Sequence, residues 1–172
     1  MKPASAGLLL SKRKAHMTPA DFIAAIAPAA QASMLATGIP ASFTVAEGAL
    51  ESGWGASQLT LQAKNLFGVK ADASWHGAVL EMQTREYLRG QWVMVPARWR
   101  KYDDWDGCIG DHAAFLRSNQ RYSTCFQHHD GPGFAAAVAA AGYATDPHYA
   151  QLITALITQH GLGALDAAKA PT

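Results

Sequence analysis

The apolar positions of the chain recur with two periods. From residue 18 onward the spacing is helical. Thr18 precedes Pro19 and Asp21, so its hydroxyl can cap a helix that proline starts and an early acidic residue suits. Phe22, Ile23 and Ile26 then form an apolar stripe. Pro28 predicts a kink rather than an end, because the pattern continues from Ala29 to Leu35. Gly38 closes this helix. Pro40 opens a second over 42–52, with Phe43, Val45 and Leu50 as its buried surface and Gly53 at the C-cap. Ser57 can cap a short helix over 58–64, and 65–70 reads as a turn.

Between 78 and 100 the period shortens to two. Two strands, Val79–Leu88 and 92–99, flank a turn at Arg89-Gly90-Gln91. Alternation puts Leu80, Met82, Thr84, Glu86 and Leu88 on one side and the wetter Glu81, Gln83, Arg85 and Tyr87 on the other. Glu86 is thus a carboxylate among apolar positions, unusual for a structural glutamate. An ion pair with Arg98 or Arg100 is the structural alternative. Helical spacing returns after Asp104, a cap for Trp105, Cys108, Ile109, His112, Phe115 and Leu116; His112 reads as a satisfied core histidine. Residues 121–130 are polar and irregular. A short alanine-rich helix over 134–141 stops at Gly142, and Tyr143 follows in the loop. Asp146 can cap a last helix that Pro147 starts, with Tyr149, Leu152, Ile153, Leu156 and Ile157 as its stripe and Gly161 at its end.

These elements predict an α+β domain, mostly helical, with one hairpin. Residues 18–161 form the domain. Residues 1–17 fall outside the pattern as a disordered tail or an appended segment with His16-Met17 at the junction, and 162–172 as a second disordered tail. At 172 residues, 49% hydrophobic and 16% charged, one globular unit is expected. A net charge of +1 gives no field for nucleic acid or an anionic membrane, and no apolar run approaches the length of a spanning helix. Leu8-Leu9-Leu10 is too short for a signal-peptide core, and Lys12-Arg13-Lys14 follows it, which reads as a solvated tail. Cys108 and Cys125 lack metal-ligand spacing; free thiols are favoured, with pairing left open. Adjacent His128 and His129 point in different directions, so neither a metal nor a cofactor is predicted, and a monomer is expected.

The candidate chemistry sits at the end of the second helix. Glu51 falls in its last turn, where the open carbonyls disfavour a negative charge, and burial would raise its pKa further. Glu47 lies one turn back on the same face and pushes the same way. A carboxyl that keeps its proton near neutral pH suits general acid catalysis; a solvated helix-end residue is the plainer reading.

Four stretches in order carry a family resemblance. Ala49-Leu50-Glu51-Ser52-Gly53-Trp54-Gly55, Asn65-Leu66-Phe67-Gly68-Val69-Lys70, Thr84-Arg85-Glu86-Tyr87 and Gly142-Tyr143-Ala144-Thr145-Asp146-Pro147-His148-Tyr149-Ala150 together resemble the glucosaminidase family, glycoside hydrolase family 73. It includes the peptidoglycan hydrolase domain of the flagellar rod-cap protein, autolysins and phage lysins. The resemblance runs from about residue 18 to 161. It implies a lysozyme-like domain in which the hairpin walls a cleft. It also implies an endo-acting hydrolase of the bond between N-acetylglucosamine and N-acetylmuramic acid in the peptidoglycan glycan strand. Glu51 is the implied acid and Glu86 and Tyr143 the second catalytic groups. Trp54, Asn65, Phe67 and Asp146 are the implied substrate contacts. Position 47 is often glutamine in that family; Glu47 adds a charge that could shift the pH optimum. A lytic transglycosylase or muramidase on the same glycan, or a non-hydrolytic wall-binding module, are the alternatives. The place of action is expected to be the periplasm or cell wall, reached by lysis, a holin-type pore or a secretion machine.

Overall fold

The computed structural model describes residues 17–167 and, within them, every side chain except those of 84–88. The expectations for residues 1–16, and for the side chain of Glu86, lie outside the described residues.

Helix α1 (Pro19–Thr37) starts as its sequence predicts. Thr18 and Asp21 form a reciprocal capping box, the helix runs through Pro28, and Gly38 ends it in the left-handed conformation. Its stripe of Phe22, Ile26 and Ala30 enters the core. At 19 residues and mean hydropathy 1.2, α1 is nonetheless long and apolar enough to cross a membrane, which amends the expectation that no run has that length.

Helix α2 (Ala41–Ser52) is the central element. It packs against α1, α5 (Gly131–Ala140), α6 (Tyr149–Gln159) and a closing 3-10 segment (Leu162–Ala167). Surrounded on these sides, it buries Phe43, Val45 and Ala46 and also the polar Ser42, Thr44, Glu47 and Ser52. Its first turn is capped from far along the chain. The Ser42 amide donates to Asp166 Oδ1 at 2.8 Å and the Ser42 hydroxyl to Oδ2 at 2.6 Å. Gly131 N–H, at the start of α5, donates to the same Oδ2 at 3.3 Å. Residues 162–167 are therefore an ordered part of the domain, not tail; Leu162 is buried and Asp166 carries a cap.

Helix α3 (Gln58–Ala63) is capped by Ser57 and leads to the turn before the hairpin. Strands β1 (Val79–Leu88) and β2 (Gln91–Arg100) pair antiparallel without a bulge, from Val79 opposite Arg100 to Leu88 opposite Gln91. The turn is shorter than expected: Arg89 (φ 51°) and Gly90 (φ 82°) alone make it, both left-handed, as a tight two-residue turn requires. Helix α4 (Trp105–Ser118) is capped by Asp104 and packs on α1. The irregular stretch after it forms a 3-10 segment (Gln120–Gln127) that buries Tyr122 and Cys125. Asp130 caps α5, which begins three residues before its apolar run. Helix α6 begins at Tyr149. Asp146 does not cap it but makes a turn ahead of it, accepting from His148 N–H at 2.8 Å. Cys108 and Cys125 are both buried free thiols, and burial pushes Cys108 up to about 12.

Candidate active site

A cleft of about 670 Å³ opens along the C-terminal half of α2. Glu47, Leu50 and Glu51 line it from α2, Phe67 to Lys70 from the turn after α3, and His112 and Phe115 from α4. Tyr143 to Asp146, Tyr149 and Leu152 close the far side, and the hairpin reaches the cleft at its base through Arg100.

The stretch around Glu51 folds for local reasons. Ser52 donates its hydroxyl to Gly48 O and accepts from Gly55 N–H at 2.8 Å, pinning the chain as it leaves the helix. Gly53, Trp54 and Gly55 are all left-handed, with φ of 56°, 58° and 77°. A Cβ on Gly55 would lie 3.2 Å from the Phe22 ring, so the turn needs glycine for space as well as conformation. Trp54 packs its ring edge-on against Phe22, with centroids 5.8 Å apart, and against His160 at 4.8 Å. It does not line the cleft, because the left-handed turn carries it round to the α1 side. It anchors the turn instead of forming a sugar subsite there.

Asn65 also has a structural task. Its amide donates to the carbonyls of Val69 and Arg100, each at 2.9 Å, and its oxygen accepts from Val69 N–H at 3.0 Å. With every polar atom so engaged and only 1% exposed, it ties the turn to the base of β2 and has no group free for substrate. The same turn sets Phe67 on the cleft floor, stacked on the His112 ring at 4.1 Å and 15°. Arg100 is held by both oxygens of Asp111 at 2.9 Å and lies over the Trp75 ring at 4.8 Å. Arg98 approaches Glu81, at 3.9 Å. Backbone register puts Glu86 opposite Val93.

The electrostatics centre on α2. Glu51 faces the cleft, and its pKa is raised first by partial burial and then by the carboxyl of Glu47. Glu47 is fully buried, and neither oxygen has a hydrogen-bond partner of normal geometry among the described residues. Burial pushes it from 4.5 to about 7, against smaller opposing pulls from the Tyr143 and Tyr149 hydroxyls. Its nearest ionisable neighbour is His112, Nε2 to Oε2 3.6 Å. Burial drives that histidine the other way, from 6.5 to about 4. Between those values both groups are neutral, so the contact is not an ion pair: desolvation outweighs their mutual attraction. His112 Nε2 also meets the Tyr143 hydroxyl at 2.7 Å. His112, read from its stripe as a core histidine, therefore joins the cleft's polar cluster. Nothing in the local pattern marks this, because its partners come from α2 and from the loop before α6.

This pair makes stability depend on pH in two opposed ways. Glu47 binds its proton more tightly folded than unfolded, so its contribution is present below 4.5 and is lost as pH rises through 7. His112 binds its proton less tightly folded, so its penalty holds below 4 and lifts as pH rises to 6.5. Each slope is a little over 1 kcal/mol per pH unit, and between 4.5 and 6.5 they cancel. Glu47→Gln removes one slope. Its stability should rise by roughly 2–3 kcal/mol across that window, while the parent stays nearly level. Urea midpoints at the two pH values test this; equal slopes in both proteins would refute it.

Of the residues anticipated from sequence, the cleft brings together Glu51, Tyr143, Phe67 and Asp146, and leaves Trp54 and Asn65 out. Glu47, anticipated as the neighbour that raises the Glu51 pKa, lines it too, and Arg100, His112, Phe115 and Tyr149 do so without having been singled out for it. Among the described residues no cluster of ligating side chains could hold a metal.

Comparison with known proteins identifies the family and the fold. The family described as mannosyl-glycoprotein endo-beta-N-acetylglucosaminidase matches residues 27–162. The peptidoglycan hydrolase FlgJ of Salmonella typhimurium is 38% identical over 143 residues, 81% of this chain and 45% of FlgJ. The exo-glucosaminidase LytG of Bacillus subtilis is 35% identical over 130 residues, 73% of this chain and 45% of LytG. The chain thus spans under half the length of these relatives. The solved structure of a C-terminally truncated glycoside hydrolase domain from Salmonella typhimurium FlgJ superposes with a TM-score of 0.73 at 37% identity. That alignment covers 84% of this chain and 98% of the other. A mostly helical domain with one antiparallel hairpin is the lysozyme-like arrangement of these neighbours, and the chain belongs to the glucosaminidase family of glycoside hydrolases.

Proposed function

We propose that the cleft hydrolyses peptidoglycan as an endo-acting β-N-acetylglucosaminidase. It cuts the β-1,4 bond from N-acetylglucosamine to N-acetylmuramic acid in the periplasm or cell wall. The observation that carries this is Glu51: a carboxyl on the cleft wall, its pKa raised by partial burial and by a buried carboxyl one turn behind. Glu51 donates its proton to the glycosidic oxygen, which departs with the bonding electrons and leaves positive charge on the anomeric carbon.

A second group must answer that charge. In one route Glu86 takes a proton from an attacking water, which needs carboxyls roughly 6.5–9.5 Å apart. In the other the carbonyl oxygen of the sugar's own acetamido group attacks, and Glu51, now ionised, activates the water that opens the ring so formed. Tyr143 would orient that acetamido group. Its position on the cleft wall supports the second route. Phe67, Phe115 and Leu152 offer apolar surface to the pyranose faces, and Asp146 an acceptor for sugar hydroxyls.

The test is the chemistry of the cut ends. Mass spectrometry of reduced wall digests should show N-acetylglucosaminitol termini. Muramitol termini would instead mean a muramidase, anhydromuramic ends a lytic transglycosylase, and binding without products a non-hydrolytic module. On the acetamido route Tyr143→Phe should lose at least as much turnover as Glu86→Gln, and glycans lacking N-acetyl groups should resist. Near-abolition by Glu86→Gln with rescue by azide would establish the Glu86 base instead.

A further inference from the structure

Tyr143 is held by more than its own loop. Its ring is wedged between Tyr122 and Tyr149, with centroids 5.8 and 5.7 Å away, so the ring has little freedom. What remains free is the direction in which the hydroxyl presents its proton. That is governed by His112 Nε2 at 2.7 Å. The imidazole is itself fixed, fully in the interior at 3% exposure and stacked flat on Phe67.

A neutral imidazole carries one proton, and the two tautomers do opposite things to the phenol. If Nε2 is bare it accepts the phenolic proton, and Tyr143 faces the cleft only as an acceptor. If Nε2 bears the proton, it donates to the phenol oxygen, and the hydroxyl proton is released from the ring, to turn to Glu47 or to the cleft. Glu47 decides between them. Its Oε2 stands 3.6 Å from the same nitrogen, with no hydrogen-bond partner of normal geometry, and the acceptor oxygen that a carboxyl keeps whether ionised or neutral favours a proton on that nitrogen.

We infer that His112 is the positioning residue of Tyr143. Its Nε2–H donates to the phenol oxygen, so that the Tyr143 hydroxyl is aimed as a donor at the acetamido carbonyl of the substrate. Glu47, on the facing helix, holds His112 in that tautomer. The inference rests on the role proposed for Tyr143 and adds what aims it. A histidine that merely filled the core would serve equally well in either tautomer, and a phenylalanine would replace it.

The test is a double-mutant cycle in kcat, read on purified walls, with thermal unfolding as a check on the fold. His112→Phe and Tyr143→Phe should each lower kcat about tenfold or more, and the double variant should lie within about twofold of the worse single one. His112→Gln, whose side-chain amide can offer an N–H near the place of Nε2–H, should keep kcat within about threefold. In the unaltered protein, nitrogen-15 NMR of the His112 ring should show a protonated Nε2 and a bare Nδ1. Additive losses in the cycle, or a bare Nε2, would overturn the inference while leaving the hydrolase reading intact. Full activity of Tyr143→Phe would remove the role of Tyr143 itself, and the inference with it. Should His112→Phe fail to fold, the ring spectrum and His112→Gln still decide the matter.

Discussion

Glu51→Gln should lower wall-clearing activity at least about a hundredfold and leave the fold unchanged. The side chain faces the cleft from the last turn of α2, where its surroundings are open enough to accept an amide of the same shape. What the amide lacks is the proton. Because burial and Glu47 both raise the Glu51 pKa, the carboxyl stays protonated to higher pH than a free glutamate. Activity should accordingly decline on the alkaline side as Glu51 ionises. Glu47→Gln should cost far less at the optimum, since Glu47 passes no proton to the substrate and the amide keeps an acceptor oxygen beside His112. Turbidity of purified walls measures both. A Glu51→Gln protein within a few-fold of the parent would end the assignment of the acid.

The largest loss of stability is expected at Gly131→Ala. A Cβ there would meet Ser42 Oγ at 2.1 Å, Ile157 Cδ1 at 2.6 Å and the backbone nitrogen of Phe43 at 3.0 Å. The isoleucine methyl can turn aside. Ser42 cannot do so cheaply, because its hydroxyl and amide are both committed to Asp166, and the Phe43 nitrogen belongs to the α2 backbone. The added methyl must push α5 away from α2 or break the cap, at a cost of about 3 kcal/mol. A fall of that size in the unfolding free energy, read from urea melts, is the expected result, and an unchanged midpoint would show that the two helices separate freely.

The sequence makes legible what is decided within a few residues. Thr18 with Asp21, Gly38, Gly53 and Asp104 mark helix ends by chemistry that operates one turn away, and they lie where the structure has them. The alternation that makes the hairpin is equally local. What depends on distant partners was not visible. Asp166 caps a helix 124 residues earlier in the chain, and its own neighbourhood reads as tail. The cluster of Glu47, His112 and Tyr143 draws on three elements, so His112 looked like one more member of a buried stripe. Trp54 and Asn65 failed for a different reason. A family motif marks positions without saying which hold substrate and which hold the chain. Here the tryptophan steadies a left-handed turn and the asparagine closes a loop onto a strand. Glu51 was legible as a candidate because a carboxyl at a helix end is a local arrangement, and it does line the cleft.

The bond from Ser42 to Asp166 also bears on how the chain comes into being. Synthesis is vectorial, and the helix bearing Glu51 is made early, while the carboxylate that finishes its first turn is almost the last residue of the domain to be made. Until then, the amide and hydroxyl of Ser42 must find water or another passing partner. The capped form of the helix that carries Glu51 therefore waits until nearly all of the domain has emerged from the ribosome.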